Sequence, residues 1–227
     1  KRADITRLVE GAKSVIVCGV AYKNEFSNGY SDDCRQKIAS YALNRDYHKS
    51  IKKMLQQLLR ELQGEYPQLQ GRAFVDTAPL LEKQMAVEAG LGWIGRQSLL
   101  VTPRYGSYVH LGELVIDHEV DSYNTPVDGV GCGECHRCRE ACPTGALVED
   151  MVVDTSACIS CRTIEAESER KGGLHGWIFG CEECQMCCPY NVRAEMHRNP
   201  NFDPLFDPKK ISSEEWLSMS EEEFAER

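Results

Sequence analysis

The chain of 227 residues has no apolar run near the ~20 residues that a membrane-spanning helix needs. Its first ten residues are charged and lack the apolar centre of a secretory signal. It starts at Lys1 rather than Met, which reads as a trimmed beginning. Basic excess is also missing: Lys plus Arg is 26 against 35 for Asp plus Glu, a formal charge of −9. The broad cationic footprint of a nucleic-acid-binding domain is therefore excluded. Six Glu against one Arg over 211–227 carry −5 of that charge. A local patch of a few Lys and Arg is still enough for phosphate contacts. There is no internal repeat outside the cysteines and no low-complexity tract. At 42% hydrophobic residues the chain is neither disordered nor collagenous. It can build one ordinary core, or a modest domain with a small one beside it.

What the chain has in excess is cysteine, twelve in all, with ten of them between Cys132 and Cys188. Clustered thiols in a chain without an export signal read as metal ligands in a reducing compartment rather than as disulfides. Cys132, Cys135, Cys138 and Cys142 with Pro143 form the run C-x2-C-x2-C-x3-C-P of bacterial ferredoxins. There, three thiolates hold one [4Fe–4S] cluster and the fourth reaches a second. Two-residue gaps wrap three thiolates around one cube. The fourth Cys opens the next helix, whose first turn accommodates the Pro. A partial second run follows, made of Cys181, Cys184, Cys187 and Cys188 with Pro189, and Cys158 lies upstream. Pseudo-symmetry between the two Cys-Pro pairs assigns one cluster to Cys132, Cys135, Cys138 and Cys188. The other takes Cys142, Cys158, Cys181 and Cys184. Cys161 in place of Cys158, and Cys187 in place of Cys184, are the alternative registers. Zinc competes, because C-x2-C pairs bind it in closed tetrahedral sites. The length of the first run and the second Cys-Pro favour iron. Clusters pass electrons singly and do not say what is reduced.

The remainder reads as α+β. Residues 14–22 are continuously apolar and β-branched, as in a buried strand. Residues 34–63 read as one long amphipathic helix, with Ile38, Tyr41, Ile51, Leu55, Leu58 and Leu62 at helical spacing. Gly64 and Pro67 end it. A strand over 72–77 and a helix over 80–89 follow, the helix stopped by Gly90. Two more strands are expected over 98–102 and 107–116. This order lacks the regular alternation of a doubly wound fold. A linker rich in Asp and Gly covers 117–131, and Ser212 opens a Ser-Ser-Glu-Glu helix start. The expected organisation is a mixed α/β domain over 1–125, a ferredoxin-like domain over 126–192 and a polar, acidic extension over 193–227. No heptad or exposed apolar stripe is seen, so a monomer is expected.

Several segments match one family. They are Tyr41-Ala-Leu-Asn-Arg-Asp-Tyr-His48, Val75-Asp-Thr-Ala-Pro-Leu-Leu-Glu-Lys83, Gly90-Leu-Gly-Trp-Ile-Gly95 and Leu111-Gly-Glu113, followed by Phe179-Gly-Cys-Glu-Glu-Cys-Gln185 and Cys188-Pro-Tyr-Asn191. In this order the chain resembles epoxyqueuosine reductase, the cobalamin-dependent iron–sulfur enzyme of tRNA queuosine synthesis. The resemblance implies a cytoplasmic oxidoreductase with a cobalamin-binding α/β domain ahead of the two-cluster domain. Its substrate would be tRNA carrying epoxyqueuosine at the wobble position, its cofactors cobalamin and two [4Fe–4S] clusters, and its electrons would come from a reduced donor. It also implies that Asp76 is the proton donor. An aspartate at the end of an apolar strand, beneath a corrin, is expected to be desolvated and its pKa raised, as a general acid requires. Read from the residues alone, Asp76 or Thr77 is instead a cap for the helix at Leu80.

Toward the cobalamin, Ser98, Leu100, Leu111, Arg162, Glu183 and Cys184 are candidate contacts, with Gly106 and Ser107 approaching by backbone. Trp93 is either a corrin contact or core. Arg45, His48, Lys49, Lys52 and Lys53 form a basic stretch that suits tRNA phosphates or is simply solvated. The resemblance implies a segment before the first strand and a helical-repeat extension after these residues, neither of them expected within this sequence; Cys161 and Cys187 depart from the family pattern. The competing functions are a two-cluster electron carrier, which needs no cobalamin, and a reductive dehalogenase-like cobalamin enzyme.

Overall fold

The computed structural model describes residues 4–31, 34–165, 173–220 and 222–223. The β-branched run becomes the first strand, β1 (Ser14–Ala21). A two-residue strand, β2 (Lys37–Ile38), leads to helix α1 (Tyr47–Glu65), strand β3 (Gly71–Phe74) and helix α2 (Glu82–Glu88). A small hairpin of β4 (Trp93–Ile94) and β5 (Leu100–Val101) precedes the long strand β6 (Val109–Ile116). β6 is the centre of an antiparallel sheet of order β1-β6-β3, with Ser14 opposite Ile116 and Phe74 opposite Glu113.

Period-two alternation gives that sheet two buried faces. On one, Ile51 and Leu55 of α1 pack on Ala73, Val75, Leu114 and Ile116. Gly112 permits the approach: a Cβ there would lie 2.8 Å from Ile51 Cγ2. On the other face Phe74, Leu80 and Val115 meet Met85 of α2. α2 ends at Ala89 with Gly90 at a positive φ, as the stop signal requires.

The long helix expected over 34–63 is shorter at its start. Asp46 caps α1 by accepting the His48 N–H at 2.9 Å. Upstream, Ser40–Leu43 is a single 3-10 turn and β2 is extended. The reason is tertiary: β2 pairs in parallel with β9, a strand 140 residues on in the chain, and its backbone bonds go there instead of into a helix.

The second half is built from short pieces: α3 (Arg137–Glu140), the hairpin of β7 (Leu147–Glu149) and β8 (Val152–Val153), α4 (Ile159–Ile164), β9 (Trp177–Phe179), α5 (Glu183–Met186) and α6 (Pro189–Arg193). A capped helix α7 (Ser213–Ser218) follows, with Ser212 and Glu215 bonding reciprocally as its sequence predicts. The polar segment over 193–210 is no detached tail. Its Phe202 is fully buried in the core with Ile51 and Tyr108, and Leu205 N–H bonds the Leu43 carbonyl at 2.7 Å.

If this segment belongs to the core, Phe202→Ala costs about 3–5 kcal/mol, the usual loss for a buried aromatic. A shift in the urea midpoint of the cluster-loaded protein, followed by tryptophan fluorescence, measures it; a midpoint within error of the wild type would return the segment to the surface.

Candidate functional site

The site begins with the thiols. No disulfide joins the described cysteines. Cys138 is pushed up by burial and by the charge of Cys132 and Cys188. Cys181 is pushed up to about 12, first by burial and then by Glu183, Cys158 and Cys142. Two neighbourhoods of thiols emerge, one around Cys132, Cys138 and Cys188 and one around Cys142, Cys158 and Cys181. Cys184 lies between them, raised by burial and by both Cys181 and Cys138. Cys187 is raised to about 11 by burial and by Cys138 and Cys188, so the spare thiol adjoins the first set. Crowded, desolvated thiols cannot all ionise unless a cationic core supplies the counter-charge. Among the described residues no three His, Cys, Asp or Glu side chains converge as ligands of a single ion.

A buried polar seam joins the thiols to the first half. Asn191, in α6 just after Cys188-Pro189, accepts the Ser107 N–H at 2.6 Å and donates to Ser107 Oγ and the Gln185 carbonyl, each at 2.8 Å. Gly106, at φ +58°, makes the contact possible, because a Cβ would collide with the Asn191 side chain. Lys23, at the end of β1, is buried and donates to the carbonyls of Asn191 and Ala194 at 2.8 and 2.9 Å. Glu182, between the second-set cysteines, accepts from Ser40 Oγ at 2.8 Å. Arg96 pairs with Asp150 and donates to the Gly133 carbonyl at 2.6 Å.

Along this seam runs a cleft of about 430 Å³, a volume ordinary for a small-molecule site. Its first-half wall is aromatic: Tyr22, Tyr41, Tyr47 and His110. Tyr47 stacks on His110 at 4.1 Å and 5°, and the Tyr22 ring lies 4.4 Å from the same imidazole, tilted by 32°. Burial, with a smaller push from His48, lowers the His110 pKa to about 3, so the ring is neutral at neutral pH. The opposite wall carries Cys142, Cys158, Cys181 and Cys184 with Glu183. Ser98 Oγ and Gln97 Nε2 are buried on the cleft wall and have no hydrogen-bond partner among the described residues.

Asp76 joins the cleft through Tyr47, whose hydroxyl donates to Asp76 Oδ2 at 2.8 Å. His48 Nε2 is 3.7 Å from the same oxygen. Two expectations about Asp76 change. Its side chain is 61% exposed, because β3 ends at Phe74 and the turn carries Asp76 beyond the sheet. It caps no helix either: α2 starts after Leu81 without a side-chain cap. Glu82 instead accepts the Asp76 N–H at 2.8 Å.

Of the other candidates, Ser98, Ser107, Glu183 and Cys184 line the cleft. Glu183 is anchored by the Trp177 indole at 3.0 Å and by Lys37. Leu100 is buried in the β4–β5 hairpin, where the alternation of the strand turns Leu99 into the cleft instead. On β6 it is Val109 and His110, rather than Leu111, that line the cleft. Arg162 donates to the Gly173 carbonyl at 3.3 Å and is not on the cleft wall. Trp93 meets Tyr190 edge-on at 4.7 Å, part of the seam. Arg45, Lys49 and Lys53 line a separate groove at the start of α1. Sequence reasoning missed Tyr22, His110 and Glu113. A polar residue at an inward position of an apolar strand was the signal that could have found the last two.

Comparison with known proteins agrees with this architecture. A family model described as epoxyqueuosine reductase QueG, DUF1730, matches residues 2–77, and one described as a 4Fe-4S double cluster binding domain matches 131–191. The epoxyqueuosine reductase of Cyclobacterium marinum is 42% identical over 230 residues, covering 99% of this chain and 72% of that protein. This chain belongs to the epoxyqueuosine reductase family. A crystal structure of an epoxyqueuosine reductase with an epoxyqueuosine-modified tRNA-Tyr stem loop superposes with a TM-score of 0.86 at 28% identity, over all of this chain and 61% of that one. The Bacillus subtilis enzyme, solved with its catalytic aspartate loop swung out of the active site, gives 0.85 at 27% identity, over 99% of this chain and 61% of that one. The chain thus spans less than two thirds of the length of these solved relatives. Within the family frame, the cysteine half is the double [4Fe–4S] binding domain.

A neutral, buried His110 has a consequence for stability. Its folded pKa lies below the ordinary 6.5, so the contribution is complete above about pH 6.5 and is lost as pH falls toward about 3. His110→Phe keeps the ring stack and removes that titration. Its acid-unfolding curve is expected to be flatter across this window than the wild type's; identical curves would show that His110 titrates as an exposed histidine does.

Proposed function

We propose that this chain reduces the epoxide of epoxyqueuosine, in the wobble position of a tRNA anticodon, to the alkene of queuosine. The observation that carries this reading is the cleft itself. One wall bears cysteines of the double-cluster domain, and the other is tied through Tyr47 to an acid at a loop tip. Converting an epoxide to an alkene takes up two electrons and two protons and releases the oxygen as water. The site therefore needs an electron route and a proton donor on one pocket.

The ligands are Cys132, Cys135, Cys138 and Cys188 for one cluster and Cys142, Cys158, Cys181 and Cys184 for the other, within a ferredoxin-like unit over 126–192 that follows an α/β unit over 1–125. Cobalamin fits the cleft by the chemistry of its lining: an aromatic wall suits a corrin edge, and the unpartnered Ser98 hydroxyl and Gln97 amide suit its polar rim. When bound, cobalamin supplies a low-valent cobalt as a two-electron reductant toward the epoxide. Asp76 delivers the proton. Tyr47 donates to Oδ2, which leaves Oδ1 to carry that proton toward the substrate oxygen. Exposure of Asp76 leaves room for a bulky nucleotide to cover it and supply the desolvation that a general acid uses. Arg45, Lys49 and Lys53, on and beside the helix that positions Tyr47, are placed for tRNA phosphates. Among the described residues no helix is long and apolar enough to cross a membrane. A monomer acting in the reducing cytoplasm, with electrons from an external donor, completes the reading.

Asp76→Asn is expected to retain both clusters and the cobalamin absorbance while losing about 10²–10⁴ in turnover, the usual worth of a general acid. Nucleoside mass spectrometry on epoxyqueuosine-containing tRNA reads the product, and wild-type turnover in that variant would remove Asp76 from the role.

The ligand assignment has its own measurement. Anaerobic iron and sulfide analysis should give about eight of each per chain. Cys161→Ala and Cys187→Ala keep that content, whereas Cys188→Ala and Cys142→Ala each lose one cluster. Iron loss in the Cys187 variant would exchange the register.

A further inference from the structure

Glu113 has no part in the reaction as proposed, yet it is the one fully buried carboxyl among the described residues of the first half. It stands in the middle strand of the sheet, opposite Val17 on one side and Phe74 on the other. No hydrogen-bond donor reaches either of its oxygens among the described residues, and the carboxyl of Glu82 lies within hydrogen-bonding reach of it. The side chain that acts on it most strongly is Glu82, the first residue of α2. Glu82 in turn uses Oε1 to accept the Asp76 N–H at 2.8 Å. That bond and the Tyr47 hydroxyl on Oδ2 hold Asp76 at φ +49°, a left-handed angle uncommon for any residue but glycine.

Two carboxyls facing each other in apolar surroundings do not both ionise near neutrality. Burial first, and then the charge of Glu82, pushes Glu113 up to about 8, and burial raises Glu82 as well. The other titratable groups around the pair are Asp76 on the β3–α2 turn, which raises both, His48 on α1, which lowers Glu82, Tyr47 on α1, which Glu82 helps to raise, and Cys18 on β1, which is itself raised by Glu113. None of them is a cluster ligand.

We propose that Glu113 is a positioning residue for the acid: by sharing one proton with Glu82 it keeps that carboxyl seated on the Asp76 N–H, and loss of the proton to water frees the Asp76 turn. The role rests on the reading of Asp76 as proton donor. Because Glu113 is raised, the shared proton is present below about pH 8 and leaves above it. Two like charges then face each other behind the turn. The acid is held in place at neutral pH and loosened in alkali.

Hydrogen exchange of the peptide spanning 75–81 reads the turn without turnover. It is measured on the cluster-loaded protein at about pH 6.5 and about pH 9 and corrected for intrinsic exchange. In the wild type, protection of this peptide is expected to fall by about tenfold or more between the two. In Glu113→Gln, whose amide still donates to Glu82 but carries no titrating proton, protection is expected to stay level. Glu82→Gln, which removes the like charge from the other side, is expected to do the same. Retained cluster absorbance certifies the fold of each variant. A wild type with no alkaline loss, or a Gln variant with the same loss, overturns the proposal. A second readout is the alkaline limb of kcat, present in the wild type and absent in Glu113→Gln. If epoxide reduction is the wrong reaction, no variant turns over at any pH while the exchange contrast stands. If the latch is wrong, the wild type turns over and the exchange contrast is missing.

Discussion

The two halves of the molecule are held together by buried polar contacts that neither half could satisfy alone. Asn191 is shared between the Ser107 turn and the carbonyl of Gln185, and Lys23 is spent on backbone carbonyls of the helix that follows Cys188. Buried groups of this kind are costly when left unpaired, so the arrangement specifies one docking of the halves and penalises others. Hydrophobic burial would hold the halves together with far less angular discrimination. A cleft with one wall from each half depends on that discrimination.

The same docking sets the electrostatics. The cysteine half presents crowded thiols, and the first half answers with an aromatic wall and a neutral histidine, with Lys83 as a charged residue at that lining. A cationic His110 in that wall would oppose any metal centre placed in the cleft. Its burial against Tyr47 and Tyr22 removes the charge. Ser98 and Gln97 add polar atoms without a partner among the described residues to the cleft.

The sheet has a second duty beyond its core. β6 places His110 on the cleft and Glu113 on the opposite face, three residues apart, because side chains alternate along a strand. The first helps fix Tyr47 by stacking and the second acts on Glu82. Both partners hydrogen-bond Asp76, one by side chain and one by backbone. The turn bearing the acid is thus gripped from two elements, although the turn itself is exposed.

Much of this was legible in the residues. The Cys-Pro runs announce two clusters because ligand spacing is a local property of the chain, and the β-branched run, the Gly90 stop and the Ser212 box are local as well. The family motifs pointed to Asp76. What the sequence left open was every choice made between distant segments. Residues 34–46 have helical periodicity, yet strand β9 takes the backbone bonds of β2 within them. The composition of 193–210 is polar, yet Phe202 is core. Leu99 rather than Leu100, and His110 rather than Leu111, face the cleft, since which face of a strand meets the cleft is set by the segments packed against it. The amino-acid order fixes which ligands and which local turns exist. Only the tertiary fold, through long-range pairing and burial, decides which of those groups share one cavity and which carry charge there.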